Sequence, residues 1–329
     1  MRLKIVLAMA LLVFPALSGA EADDREHYHR PATIPFPADN PYSLPKATLG
    51  KMLFFEPRLS AGTNITCMSC HNPSLGWESG QARAVGTTGQ PTGRKSPTTL
   101  NLAWTEPLFW DGRATNLEEQ ARGPIEHPVE MNMAMEDVIA RLAEVDAYVE
   151  MFDAAFPDEG MTDETILKAI ATFERTLVSG LAPFDRWVEG EEDAISDSAK
   201  RGFELFNGKA HCADCHTGWN FTDDLFHDIG LPTDDIGREG VTGTPADRFA
   251  FKTPGLRDIA LRKPYMHNGM VTTLDVVIRH YAGGGMPRDS LSPLMRPFTV
   301  SEEEIRDMVA FLNSLSGEGQ TVALPTLPN

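Results

Sequence analysis

A mainly α-helical fold in two similar domains, with long loops and little β structure, is what this sequence predicts. Three observations predict it. Amphipathic stretches with apolar residues at i, i+3, i+4 and i+7 recur through the chain. No stretch alternates apolar and polar residues for long enough to read as a half-buried strand. A five-residue motif, Cys-x-x-Cys-His, occurs twice, each time after one of the amphipathic stretches.

The elements follow in chain order. Residues 1–20, MRLKIVLAMALLVFPALSGA, carry Arg2 and Lys4, an apolar core from Ile5 to Leu17, and the small residues Ser18-Gly19-Ala20. That is the pattern of a secretory signal peptide. Its apolar core is short for a membrane span, and no later segment approaches one. The expected product is soluble, exported and, in a Gram-negative host, periplasmic; an uncleaved N-terminal anchor is the alternative. Residues 21–43 read as a mobile extension, with His27 and His29 in it.

The first domain is placed at 44–190. It opens with the amphipathic stretch Leu44–Phe55 and contains the helical patterns MEDVIARLAEVDAYVEMF and TDETILKAIATFERTL. Stretches rich in Pro and Gly, such as Gly86–Pro97, read as loops. The acidic stretch Val188–Ile195 is poor in core residues and marks the boundary. The second domain, 191–318, opens with DSAKRGFELF, capped by Asp197 or Ser198, and closes with VSEEEIRDMVAFLNSL. There Ser301 and Glu304 have capping-box spacing, and Ile305, Met308, Val309 and Leu312 form one stripe. Residues 319–329 are a tail. Near the end of the second domain, Leu274, Val277, Ile278 and Tyr281 share an apolar stripe that a glycine run terminates. A phenol at the last buried position can pack there or reach for something inside.

The formal charge is −18, and loss of Arg2 and Lys4 with the signal peptide leaves −20. Nucleic acid is a poor partner for such a chain, because phosphate neutralisation needs clustered cations. An acidic surface can steer a basic protein or simply keep an exported protein soluble.

Four cysteines in an exported chain would ordinarily suggest disulfides. Their spacing points elsewhere. Cys67-Met68-Ser69-Cys70-His71 and Cys212-Ala213-Asp214-Cys215-His216 use every cysteine in the chain, and each pair is followed directly by His. This is the pattern of covalent c-type haem attachment, in which two thiols add to the haem vinyl groups and the His is delivered to the iron. A four-cysteine zinc site or two small disulfides are the alternatives. A helix before each motif and another closing the domain make a cytochrome c-like arrangement, used twice.

Two haems that only pass electrons should both have six-coordinate iron with protein ligands, whereas peroxide chemistry needs one open iron with an acid–base group on its far side. No histidine occurs between His71 and His127. Met131, Met133 and Met135 offer sulfur, but their spacing just before a helix suits core filling.

At this point the residues resemble a family. Trp110-Asp111-Gly112-Arg113-Ala114, Leu117-Glu118-Glu119-Gln120-Ala121, Pro124 and His127-Pro128-Val129-Glu130-Met131 are similar to the distal segment of the di-haem cytochrome c peroxidases and MauG proteins. So are Phe221-Thr222-Asp223, His227-Asp228-Ile229-Gly230-Leu231, Lys252-Thr253-Pro254-Gly255-Leu256-Arg257 and Pro264-Tyr265-Met266-His267-Asn268-Gly269. The resemblance runs from about Leu44 to Leu315. It implies that Cys67 and Cys70 hold the peroxidatic haem with His71 as proximal ligand. It places Glu130 as the distal acid–base residue, Gln120 and Pro124 in the same pocket, and Trp110 between the haems. Cys212, Cys215 and His216 would hold a six-coordinate second haem. His267 is left as either a haem-pocket hydrogen bonder or a core residue, and the resemblance gives His127 no role.

The family's sixth ligand to the second iron lies twelve residues after the Gly of the Pro-Tyr-x-His-x-Gly motif, which lands on Tyr281. Cytochrome c peroxidases look to have Met there, and the MauG branch Tyr. Helix geometry agrees, since His280 lies about 100° around the helix from Tyr281. Met266, Met270, Met286 and His280 are the rivals. A phenolate is a hard donor that favours ferric and higher states, whereas a thioether raises the potential. The resemblance is therefore to the MauG branch: a peroxide-dependent oxidase of a protein partner's Trp or Tyr. The alternatives are a cytochrome c peroxidase drawing on a small redox protein, and a non-enzymatic electron carrier.

Two departures are visible. The family's calcium site draws on an Asn where this chain has Lys95, within Arg94-Lys95-Ser96-Pro97-Thr98, so calcium stays open with that ammonium against it. MauG proteins carry a Trp two residues before the second haem's first Cys, where this chain has Ala210. Long-range oxidation is then expected to leave by another route, with Trp219 as candidate, or to act on a partner other than the methylamine dehydrogenase precursor.

Overall fold

The structure is a computed structural model and describes residues 24–317 and 322–329. The expected signal peptide lies outside the described residues. No helix among them is long and apolar enough to cross a membrane.

The chain folds as two helical domains joined through a short linker. In the first, α1 (Leu44–Phe54) is capped by Ser43, whose hydroxyl accepts from the Lys46 N–H, with Pro45 in the first turn. The first Cys-x-x-Cys forms a single turn, α2 (Cys67–Cys70). Then come α3 (Leu117–Glu126), α4 (Met135–Ala143), α5 (Asp146–Ala155) and α6 (Asp163–Arg175), the last opened by a Thr162/Thr165 capping box. A short α7 (Pro183–Val188) leads to the second domain. That domain contains α8 (Asp197–Asn207), α9 (Glu239–Thr242), α10 (Leu274–Ala282) and α11 (Glu302–Ser314). The strands among the described residues, β1 (Phe226–His227) and β2 (Phe251–Lys252), pair antiparallel with Phe226 opposite Lys252.

Each domain closes by crossing its first helix over its last, α1 on α6 and α8 on α11. Both crossings need glycine. A Cβ on Gly50 would sit 1.9 Å from the Ala169 carbonyl oxygen, and one on Gly202 would sit 2.1 Å from that of Asp307. The backbones approach that closely only because neither residue has a side chain. Each crossing sits over an apolar cluster. In the second domain it is aromatic, with Phe184, Phe203, Phe206, Phe221 and Phe311 ring against ring.

Residues 24–43, expected as a mobile extension, are packed down. Tyr28 is 2% exposed, inserted among Phe184, Phe203 and Phe221, and its hydroxyl donates to Asn207 Oδ1 at 2.7 Å. Arg30 donates to the Ser179 carbonyl at 2.6 Å and pairs with Asp185. The tail also returns: Arg58 donates to the Pro328 carbonyl, and Val322 and Leu327 pack beside Phe54 and Trp77. Composition alone reads both segments as loose; burial of one tyrosine and a few apolar contacts hold them.

Candidate di-haem site

Two cavities lie behind the two Cys-x-x-Cys-His turns. The first, about 470 Å³, is lined by Cys67, Cys70 and His71, and the second, about 160 Å³, by Cys212, Cys215 and His216. None of the four cysteines forms a disulfide. In each turn the histidine ring is pinned by its Nδ1 against a backbone carbonyl, His71 to Trp77 at 3.2 Å and His216 to Phe221 at 2.9 Å. That bond fixes the tautomer and leaves Nε2 as the free donor atom for a metal. Burial pushes both rings below the ordinary histidine range, His71 to about 4, so each is neutral and its lone pair available.

Across the first cavity stand Gln120, Pro124, His127 and Glu130. Pro124 sits inside α3, where it has no N–H to give to the Gln120 carbonyl. The chain then folds back on the helix end: Met131 N–H donates to the Pro124 carbonyl and Met133 N–H to that of Ile125. Thr87 N–H fixes the Glu130 carbonyl at 2.8 Å. These bonds turn Glu130 into the cavity, with about a third of its side chain exposed. Burial raises its carboxyl above the usual range, against the opposing pull of His127 and Arg113. His127 Nδ1 lies 3.8 Å from Glu130 Oε1, but it accepts from the Val129 N–H at 3.2 Å and is therefore not the proton-bearing nitrogen. Met133 and Met135 are buried in core; Met131, also buried, reaches the cavity wall.

Across the second cavity lies the stripe of α10. Leu274, Val277, Ile278 and Tyr281 all line it. His280 faces away and bonds the Ile229 carbonyl through Nε2 at 2.8 Å. Met270 and Met286 are 75% and 46% exposed and off the wall. Met266 is on the wall, and so is Met295, a sulfur that its place in a loop without periodicity kept from view in the sequence. Burial and the two nearby cysteine sulfurs push the Tyr281 phenol well above its ordinary pKa in the absence of a metal. Thioether formation removes the sulfur contribution, and a cation at the ring oxygen acts in the opposite sense.

The cavities share one wall, made by Lys95, Trp110, Lys252, Thr253, Pro254 and Arg262. Trp110 is held there from both sides. Its Nε1 donates to the Lys95 carbonyl at 2.8 Å, and its own carbonyl accepts from the Lys252 N–H. The next turn docks on the second domain, where Arg238 bonds the Asp111 and Gly112 carbonyls. Gly112 has φ +68°, and a Cβ there would lie 2.3 Å from the Phe226 ring. Lys95 is 3% exposed and forms an ion pair with Glu78, which also takes Arg262 Nε at 2.9 Å. Burial and Arg262 push the ammonium below its ordinary range, and the adjacent carboxylate opposes them.

A group that fits these cavities must carry polar atoms at its edge. Besides Glu78 Oε2, which Lys95 engages as an ion pair, four buried side-chain atoms among the described residues have no partner: Thr99 Oγ1, Glu174 Oε2, Arg257 Nη2 and His267 Nε2. All four residues line one of the two cavities. Native interiors rarely leave such atoms orphaned, and the two donors among them in the first cavity, Thr99 Oγ1 and Arg257 Nη2, call for an acidic ligand there. A haem, apolar in its body with two carboxylates at one edge, has that character, and Thr99 and Arg257 supply donors for a carboxylate. His267 is thus a cavity residue: it stacks on Phe251 at 3.6 Å, and burial lowers it to about 4. Motif reading did not single out Thr99 or Glu174; burial without a partner, the signal that finds them, is a tertiary property.

Two Cys-x-x-Cys-His turns, two cavities and a shared tryptophan wall define a di-haem c-type oxidoreductase. Residues 45–193 match the family described as di-haem cytochrome c peroxidase (MauG), and residues 199–316 match cytochrome c. The chain is 52% identical to the methylamine utilization protein MauG of Methylorubrum extorquens, over 92% of this chain and 87% of that one. It is 44% identical to the same-named protein of Methylophilus methylotrophus over 98% of both. The crystal structure of a MauG-like protein associated with microbial copper homeostasis superposes with a TM-score of 0.82 at 32% identity, covering 88% of this chain and 95% of that one. The chain belongs to the di-haem cytochrome c peroxidase and MauG family, and is a peroxide-dependent di-haem oxidoreductase.

Proposed function

We propose that this protein uses hydrogen peroxide to oxidise a protein partner at Trp or Tyr, in the periplasm, in the manner of the MauG branch. The observation that carries the reading is the α10 stripe: Tyr281 stands on the wall of the second cavity while its neighbour His280 is turned away to Ile229. Cys67 and Cys70 attach the first haem and His71 ligates it; Cys212, Cys215, His216 and Tyr281 hold the second. The bound haems supply the iron at which peroxide is cleaved and the store for two oxidising equivalents. Glu130 takes a proton from peroxide on a carboxylate oxygen and returns it to the departing oxygen, which leaves as water. Gln120 and Pro124 shape the space in which this happens, and Trp110 occupies the shared wall between the two centres.

Met266 and Met295 on the same wall favour the second reading, a peroxidase fed by a small cytochrome or cupredoxin. The two are separated by adding peroxide to the ferric protein with a reduced c-type cytochrome. The first reading expects the ferric protein to react with peroxide without prior reduction and the cytochrome to support few turnovers. Sustained oxidation of the cytochrome, with activity only after pre-reduction, would replace it by the second.

Trp219 remains the candidate exit. It packs edge-to-face on Trp104 at 4.9 Å, and Arg30 and Arg257 lie 5.5 and 6.0 Å from its ring. Those guanidiniums oppose a positive hole on Trp219 itself. Among the described residues no cation stands over Trp104, which makes it the better resting place of the pair. Trp219→Phe is expected to slow partner oxidation several-fold with the peroxide reaction unchanged; unaltered partner turnover sinks this route.

The ion pair of Lys95 with Glu78 supports a reading without calcium at the shared wall. The melting temperature of the holoprotein is expected to be indifferent to a calcium chelator and to added calcium. A shift of several degrees on chelation would show that the cation binds here after all.

A further inference from the structure

Glu174 is a second carboxyl of the first cavity, and none of the chemistry above uses it. It lies in the last turn of α6, four residues after Ile170, and both side chains reach the cavity wall. It is 5% exposed, and its Oε2 is among the four orphaned atoms. The nearest cation is already engaged: the adjacent Arg175 gives two guanidinium nitrogens to Glu118 at 2.6 and 2.8 Å. Glu118 is further held by Asn40 at 2.7 Å. After burial itself, Glu174 is the group that most raises the Cys67 thiol, so its carboxyl lies within electrostatic reach of the first attachment point.

An ionised carboxylate in that place has one oxygen, Oε2, without a hydrogen-bond partner, and a macrocycle filling the cavity removes what solvation remains. The neutral acid is the stable form beside a reduced haem. We propose that Glu174 holds a proton that it releases when the first haem is oxidised and regains when it is reduced, so that this carboxyl compensates the charge collecting at that haem. The step balances. When an external one-electron donor reduces that centre, one proton passes from solvent to a carboxylate oxygen of Glu174; when a one-electron acceptor reoxidises it, the electron goes to the acceptor and the proton returns to solvent. The coupling is reciprocal, because positive charge nearby favours the carboxylate and the carboxylate favours the positive charge.

The groups facing Glu174 set where this occurs. Burial is the largest effect and pushes the carboxyl up to about 8; Arg175 draws it down, and Glu118 pushes it up. Glu130 and Arg257 share the cavity. Cys67, as a thioether, carries no charge. The interval between the oxidised and reduced forms therefore reaches the neutral range.

The inference rests on attachment of the first haem at Cys67 and Cys70, and the test keeps the two apart. The midpoint potential of that haem is measured against pH on the holoprotein and on Glu174→Gln. The wild type is expected to fall with rising pH through the neutral range, towards about 59 mV per pH unit, the limit for one proton per electron. Glu174→Gln is expected to flatten that slope over the same range. Equal slopes in the wild type and Glu174→Gln overturn the proposal. Should Glu174→Gln fail to fold, proton uptake on reduction of the wild type, followed with a pH indicator, decides: no uptake overturns it. A purified protein whose mass shows no haem on Cys67 and Cys70 overturns the attachment and the proposal together.

Discussion

Replacing Glu130 by Gln is expected to slow the reaction of the ferric protein with hydrogen peroxide by about 10²–10⁴-fold, the usual worth of a positioned acid–base group. Attachment of both haems should be unaffected, since Gln occupies the same space. Gln keeps the shape and loses the capacity to take a proton. The pH profile gives an independent reading. Burial raises the Glu130 carboxyl above the usual range, and the form that accepts the first proton is the carboxylate. The wild-type rate should therefore fall as pH drops through that raised pKa, at a higher pH than an exposed carboxylate would give, and the Gln variant should lack this limb. Wild-type rates in Glu130→Gln would remove this residue from the mechanism and leave His127, on the same wall, as the group to test.

Tyr281→Phe should replace the low-spin ferric signal of the second haem altogether, with the high-spin signal of the first unchanged. The wild type should show one high-spin and one low-spin haem by low-temperature EPR and no sulfur-to-iron charge-transfer band. The substitution removes one oxygen from a packed stripe, so a spectral change reports ligation and not a collapsed domain. Met266→Leu and Met295→Leu complete the test, because both sulfurs share the cavity wall with Tyr281. A sulfur band that survives Tyr281→Phe and vanishes in one of the Met variants would make Tyr281 a packing residue and the protein a conventional peroxidase. The stakes are chemical: an anionic oxygen donor stabilises the oxidised iron, while a thioether stabilises the reduced one.

Much of the site is legible in the chain because it is local. Both Cys-x-x-Cys-His turns are five consecutive residues, and the orientation of each histidine depends on a carbonyl only five or six residues on. The α10 stripe is a matter of helical spacing, so the side of the helix on which Tyr281 falls could be read before its surroundings were known. Met295 shows the limit. It lies in a loop without periodicity, and only the fold brings its sulfur to the second cavity. Tyr28 and Arg30 show another: their segment is short and polar, yet it is fixed by partners more than a hundred residues away.

By itself the sequence determined the helical class, the two Cys-x-x-Cys-His turns, the two-domain arrangement and the family, because each rests on spacing within a few residues or on a run of motifs in order. The tertiary structure alone decided that Trp110 stands on a wall common to both cavities, that Lys95 is neutralised by Glu78 between them, and that Glu174 is buried without a cation. These are statements about burial and charge between segments distant in the chain. Desolvation and Coulomb interaction depend on what lies within a few ångströms in space, which no spacing along a sequence encodes.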